Sequence, residues 1–196
     1  MLLLEVGEER KRWQSMRESA TMESIAGLLL LQRALTEQGV SPEGMILCRD
    51  SHQRPFLQGE TERIDFNVSH ANGLVVCALE TATGNSCPRI GIDAEKRGAM
   101  TGRAMDRIVA RWFSEGERAK YKKAPTEETF LRIWTGKEAL VKQTGEGMSG
   151  LAKADTENLP QGLLLTAYPL GDWTVTLCHQ RGTEPPEGIV LLEALG

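Results

Sequence analysis

Cysteine, histidine and aromatic side chains are scarce in this chain, and an excess of positive charge is absent. Its 196 residues hold four cysteines (Cys48, Cys77, Cys87, Cys178) and three histidines (His52, His70, His179). No two cysteines form a C-x-x-C pair, which argues against a zinc site and leaves reduced thiols as the expectation. A formal charge of -4 lacks the basic excess with which general nucleic-acid binders neutralise phosphates, so no nucleic-acid partner is expected. An anionic ligand has to be met by a local cluster of cations instead. The longest apolar run, residues 25–31, falls far short of the ~20 residues that cross a bilayer, and no membrane segment is expected. Residues 1–4 are too short for a secretory signal core and are followed by Glu5, Glu8 and Glu9, so the expected location is the cytoplasm. Low-complexity tracts are missing as well, which excludes a disordered chain.

The patterns that are present alternate between helical and extended. Trp13, Met16, Met22, Ile25, Leu28, Leu29 and Leu35 recur at three- and four-residue spacing and predict a helix over 9–38, with Gly39 as its C-cap. Short strands are predicted at 45–48, 64–68 and 74–79, with 49–62 as loop and 81–88 as a linker or long turn. A second series follows. After a strand at 89–95, an amphipathic helix at 103–112 aligns Arg103, Arg107 and Arg111 at four-residue intervals. Ser114 and Thr126 are suited to cap two further helices, to 121 and to 144, the second closed by Gly145. Strands are predicted at 163–168, 173–178 and 189–192. Both halves thus run from helix and strand elements of similar kind, which fits an α+β fold of two related units, 1–88 and 89–196.

Chemistry concentrates in two stretches. In Arg89-Ile90-Gly91-Ile92-Asp93-Ala94-Glu95, alternation along a strand puts Asp93 and Glu95 on one face, about 6 to 7 Å apart at Cα. That is a cradle for a hard cation, and equally a common pattern at a solvated strand end. In the long helix, Phe130, Ile133, Trp134, Leu140 and Val141 define an apolar stripe with Glu138 on its flank and Lys142 one turn on. Lys137 sits nearly in the middle of that stripe. It either snorkels out of the core or points into a cavity holding negative charge. Gly145-Glu146-Gly147-Met148-Ser149-Gly150 matches G-x-G-x-x-G, but a dinucleotide site needs a strand before it and a helix after it, and here a helix comes first.

Three blocks together, Phe66-Asn67-Val68-Ser69-His70, Gly91-Ile92-Asp93-Ala94-Glu95 and Trp134-Thr135-Gly136-Lys137-Glu138-Ala139-Leu140-Val141-Lys142, the last followed by Gly145-Glu146-Gly147, resemble the signatures of the 4′-phosphopantetheinyl transferase superfamily. Their order and spacing are similar to its longer branch, which activates peptide and polyketide synthetases. The resemblance implies an intramolecular pseudodimer with the active site between the units. It implies that Asp93, Glu95 and Glu138 surround Mg²⁺ on the pyrophosphate of coenzyme A, with Lys142, and with it Lys137, against the phosphates and Glu138 as candidate base. Arg54, before Pro55, would hold the 3′-phosphate together with Ser69 and His70. Two positions depart from the pattern: Ala94 replaces a larger residue between the acidic pair, and Glu23 stands where many relatives have arginine. The implied reaction transfers phosphopantetheine to a serine of an apo acyl or peptidyl carrier protein, with a monomer expected. The same residues would also serve a non-catalytic coenzyme A or carrier binding module, or a Mg²⁺-dependent phosphohydrolase.

Overall fold

A computed structural model of the chain describes residues 4–60, 63–82 and 87–182. The strand expected at 189–192 and the middle of the expected 81–88 connection lie outside these residues. The architecture is α+β, built from helices and small antiparallel sheets.

The first helical stretch is two helices, α1 (Gly7–Trp13) and α2 (Glu18–Glu37), where the periodicity predicts one. The break has a local cause. The Ser15 hydroxyl donates to the Arg12 carbonyl at 2.8 Å, offering the backbone an alternative to the helical ladder. The Trp13 indole N–H then donates to Ser24 Oγ at 2.9 Å and fixes α1 against α2. Gly39 supplies the left-handed residue beyond α2 (φ 73°).

Strands β1 (Leu47–Arg49) and β2 (Pro55–Leu57) pair across the loop that holds Asp50 and Gln53, and β2 falls where only loop is predicted. Next, β3 (Ile64–Ala71) and β4 (Leu74–Thr81) form a hairpin whose two-residue turn has positive φ at both Asn72 (47°) and Gly73 (90°). That backbone suits a tight turn between right-twisted strands. Ser69 and His70 therefore lie within a strand rather than in its connection. The odd and even residues of β3 divide cleanly. Ile64 and Phe66 join Leu28, Leu31 and Leu35 of α2 in one core, while Asp65, Asn67 and Ser69 face the other way.

The second half opens with β5 (Gly91–Lys96) and continues through α3 (Gly102–Trp112), α4 (Glu115–Lys123), α5 (Glu127–Thr144) and a 3₁₀ turn at Gly147–Ala152. It ends with the hairpin β6 (Leu163–Leu170) and β7 (Trp173–Gln180), and the sheet order is β5-β7-β6. The cap residues read from sequence serve as such: Ser114 Oγ accepts from Glu117 N, Thr126 Oγ1 accepts from Thr129 N, and Gly145 closes α5 at φ 77°. Beneath α5 lies an apolar core with Phe113, Phe130, Ile133, Leu140 and Cys178. A further core contains Ala71 and Val76 from the β3–β4 hairpin and Ile92, Ala94, Val175 and Leu177 from the β5 sheet. The hairpin and the second sheet thus share one interior, and the Trp173 indole N–H donates across it to the Ala71 carbonyl at 3.0 Å.

Candidate active site

β5 and α5 lie side by side in opposite directions. Gly91 abuts the backbone at Ala139 and Gln143, Asp93 meets Lys142, and Glu95 meets Trp134. The period of two along the strand and the period near four along the helix bring these pairs together in sequence. Lys142 Nζ donates to Asp93 Oδ1 at 2.7 Å, to Ser69 Oγ at 2.8 Å and to the Ile92 carbonyl at 3.2 Å, which uses the three protons of an ammonium. Ser69 in turn donates to Asp93 Oδ1 at 2.9 Å.

The other edge of β5 is held by side chains instead of by a strand. Asp65 Oδ2 accepts from Ile90 N at 2.8 Å, and Asn67 Oδ1 accepts from Ile92 N at 2.9 Å. Sequence reasoning did not single out Asp65 or assign Asn67 a contact. The signal was the strict alternation of Asp65, Asn67 and Ser69 with Ile64, Phe66 and Val68.

Three carboxylates share this neighbourhood. Burial, and then the charge of Asp93, push Glu95 and Glu138 each up to about 7 from 4.5, opposed at Glu95 by the Trp134 indole N–H (3.3 Å to Oε1) and at both by Lys142. Asp93 Oδ2 is buried with no hydrogen-bond partner. Among the described residues no group of three or more histidine, cysteine, aspartate or glutamate side chains is arranged to hold a metal ion, so the three carboxylates expected to ligate Mg²⁺ are neighbours in charge without being converged ligands. The chemistry of the set, oxygen donors with one orphaned buried oxygen and two carboxyls strained by their own charge, nonetheless suits a hard divalent cation.

Other cations expected at the site are engaged elsewhere. Lys137 is fully buried, pairs with the equally buried Glu117 at 2.8 Å and also donates to the Ala154 carbonyl. It faces the α4 side of α5, because one residue along a helix turns the side chain by ~100° from Glu138. Its partners in this structure are therefore Glu117 and Ala154, whereas a phosphate contact is what the sequence resemblance implies. Glu117 is the capping-box residue of α4, and it further accepts from Thr156 N and Oγ1. Lys137→Met is expected to cost about 3–5 kcal/mol in urea denaturation, since it strands a buried charge, and Lys137→Met with Glu117→Gln should recover part of the loss.

Arg54 is likewise engaged within the protein. Its side chain is 8% exposed and pairs with Asp65 at 2.6 Å while donating to three backbone carbonyls. His70 is exposed, with Nδ1 3.0 Å from Glu23 Oε2, so a carboxylate occupies the place where an anion was expected.

Residues 89–180 match the family model of the 4′-phosphopantetheinyl transferase superfamily. The chain belongs to that superfamily. A 4′-phosphopantetheinyl transferase of Bacillus subtilis is 30% identical over 136 residues, covering 68% of this chain and 56% of the relative. HetI, a 4′-phosphopantetheinyl transferase of Nostoc sp., is 29% identical over 62% of this chain and 51% of its own length. The corresponding AcpT of Salmonella typhimurium is 29% identical over 79% and 74%. The chain spans about half the length of the first two of these relatives. Among the described residues no helix is long and apolar enough to cross a membrane.

Proposed function

We propose that this chain transfers the 4′-phosphopantetheine group of coenzyme A to a serine hydroxyl of an apo acyl or peptidyl carrier protein. The observation that carries the reading is the meeting of Ser69 and Lys142 with Asp93, beside Glu95 and Glu138, in a chain of this superfamily. The serine oxygen forms a bond to the β-phosphorus, the bond from that phosphorus to the bridging oxygen breaks, and adenosine 3′,5′-bisphosphate leaves. Asp93, Glu95 and Glu138 are the residues that would hold Mg²⁺, which when bound neutralises pyrophosphate charge. The Lys142 ammonium, partly exposed while its protons go to Asp93, Ser69 and Ile92, stabilises the leaving phosphate by its charge rather than by a free N–H. Glu138 accepts the serine proton, directly or through water.

The site draws on both halves, Ser69 coming from the first and the acidic residues and Lys142 from the second. Junctions between units are frequent ligand sites, and because one chain supplies both sides, a monomeric pseudodimer suffices. Arg103, Arg107 and Arg111 lie exposed on α3, and the Arg111 guanidinium stands 4.6 Å from the Trp112 ring centroid. This helix is the docking surface for an acidic carrier. Arg103→Glu with Arg107→Glu is expected to raise the carrier KM about tenfold, by reversing the charge complementarity, and to leave coenzyme A affinity unchanged. An unaltered carrier KM would remove α3 from the interface.

The reading is tested by intact mass of an apo carrier incubated with the protein, coenzyme A and Mg²⁺. A gain of one phosphopantetheine, lost with EDTA or with a carrier lacking its serine, supports it. Coenzyme A bound but never transferred would make this a binding module, and coenzyme A consumed without carrier would make it a phosphohydrolase.

A further inference from the structure

We infer that Arg54, acting with Asp65, is the positioning residue that sets Lys142 on Asp93, and that it does not read the 3′-phosphate of coenzyme A. The inference deepens the transferase reading and rests on it. One guanidinium touches every element of the cluster. Nη1 donates to the carbonyl of Lys142, and Nη2 donates to Asp65 Oδ2 at 2.6 Å, to the Ile90 carbonyl at 2.9 Å and to the Phe66 carbonyl at 3.2 Å.

The last four carbonyls of a helix lack partners within it and carry the negative end of its dipole, which a cation satisfies. In α5 the Lys142 carbonyl receives Arg54 and the Thr144 carbonyl receives Arg89 Nη1 at 2.9 Å. Arg54 therefore fixes the backbone from which the Lys142 side chain extends. Through the Ile90 carbonyl, and through Asp65, which accepts from Ile90 N at 2.8 Å, it also fixes the residue that leads into β5, three before Asp93. Both ends of the 2.7 Å contact between Lys142 and Asp93 are thus tied to one planar group.

The loop that presents Arg54 is itself braced. Asp50 Oδ1 accepts from Arg54 N and His52 N, each at 2.9 Å, and Gln53 holds a left-handed φ of 66°. Arg49 Nη1 grips the Gln53 carbonyl at 2.6 Å while its Nε pairs with Glu9, a buried carboxylate of α1. A non-glycine residue in that conformation persists where its surroundings hold it. A phosphate ligand needs open N–H groups facing a cleft, whereas this fork is spent on acceptors within the protein.

The two roles separate kinetically. Carrier modification by full-length Arg54→Gln, Arg54→Lys and Asp65→Asn is measured with coenzyme A and with 3′-dephospho-coenzyme A as donors. Positioning predicts that kcat falls ~10- to 100-fold with both donors, since sub-ångström misplacement acts on the chemical step. The KM for coenzyme A and the ratio of kcat/KM between the donors then stay within about twofold of the wild-type values. Arg54→Lys, which keeps the charge but loses the fork, should behave like Arg54→Gln, and Asp65→Asn should show the same pattern. A kcat left intact with the preference for the 3′-phosphate erased, or full rescue by lysine, overturns the inference. Amide hydrogen exchange keeps the test independent of turnover. Arg54→Gln, shown folded by its cooperative urea transition, should lose protection at residues 139–145 and 90–93, and unchanged protection there overturns the inference. Wild-type protein that transfers to no carrier refutes the transferase reading instead, and the exchange result still decides the role of Arg54.

Discussion

Gly91→Ala is expected to lower carrier modification at least ~100-fold and to destabilise the protein by about 1–3 kcal/mol. A Cβ added at Gly91 would stand 2.1 Å from the Ala139 carbonyl oxygen and 2.6 Å from Gln143 N. Both obstacles are backbone atoms of α5 and neither can rotate away. β5 cannot slide aside to make room, because β7 pairs with it along one edge and Asp65 and Asn67 hold the other. The remaining response is for strand and helix to separate by about an ångström or more, which pulls Asp93 from Lys142 and Glu138. The separate effect on geometry is seen by comparison with Gly116→Ala in α4, where the nearest foreign atoms lie 3.6 Å from the added carbon. That substitution should leave both activity and the urea midpoint nearly unchanged. If Gly91→Ala retained wild-type turnover, close approach of β5 to α5 would have no part in the chemistry.

This contact shows why the elements were legible in the sequence and their mutual fit was not. Cap residues such as Ser114, Thr126 and Gly145 act within a few residues of themselves, so local pattern is enough to find them. The same holds for the strand ending in Asp93 and Glu95 and for the helix bearing Glu138 and Lys142. The partners of Lys137 were hidden on a different ground. One sequence position separates it from Glu138, yet its partner Glu117 comes from another helix, and no local pattern announces a buried ion pair. The partners of Arg54 were hidden likewise, since three of its four acceptors are backbone carbonyls, and a carbonyl has no sequence signature. The polar row of Asp65, Asn67 and Ser69 was visible as alternation, but that alternation alone reads as a solvated face. Only the neighbouring β5 and the residue before it, whose N–H groups at Ile92 and Ile90 need acceptors, turn it into a seam.

Glu138→Gln is expected to cost about 1,000-fold in turnover, the loss expected when a general base is removed, while making the metal-free protein more stable. Three carboxylates face one ammonium here, and Asp93 Oδ2 is buried without a partner. Burial and the neighbouring Asp93 charge raise Glu138 to about 7, so in the folded state without metal the ionised form is disfavoured. The sign follows from linkage. A carboxyl that binds its proton more tightly when folded favours the fold most below its unfolded value, here 4.5, and that contribution is lost as pH rises through about 7. In EDTA the wild-type Tm should therefore fall between pH 5 and pH 8, and Glu138→Gln should flatten the slope and gain on the order of 2 kcal/mol at pH 8. Added Mg²⁺ should raise the wild-type Tm at pH 8 more than that of the variant, because binding to the folded state alone stabilises it. A variant that is inactive and also less stable in EDTA would mean that Glu138 serves the fold, and that repulsion among these carboxylates is not a cost the folded state bears.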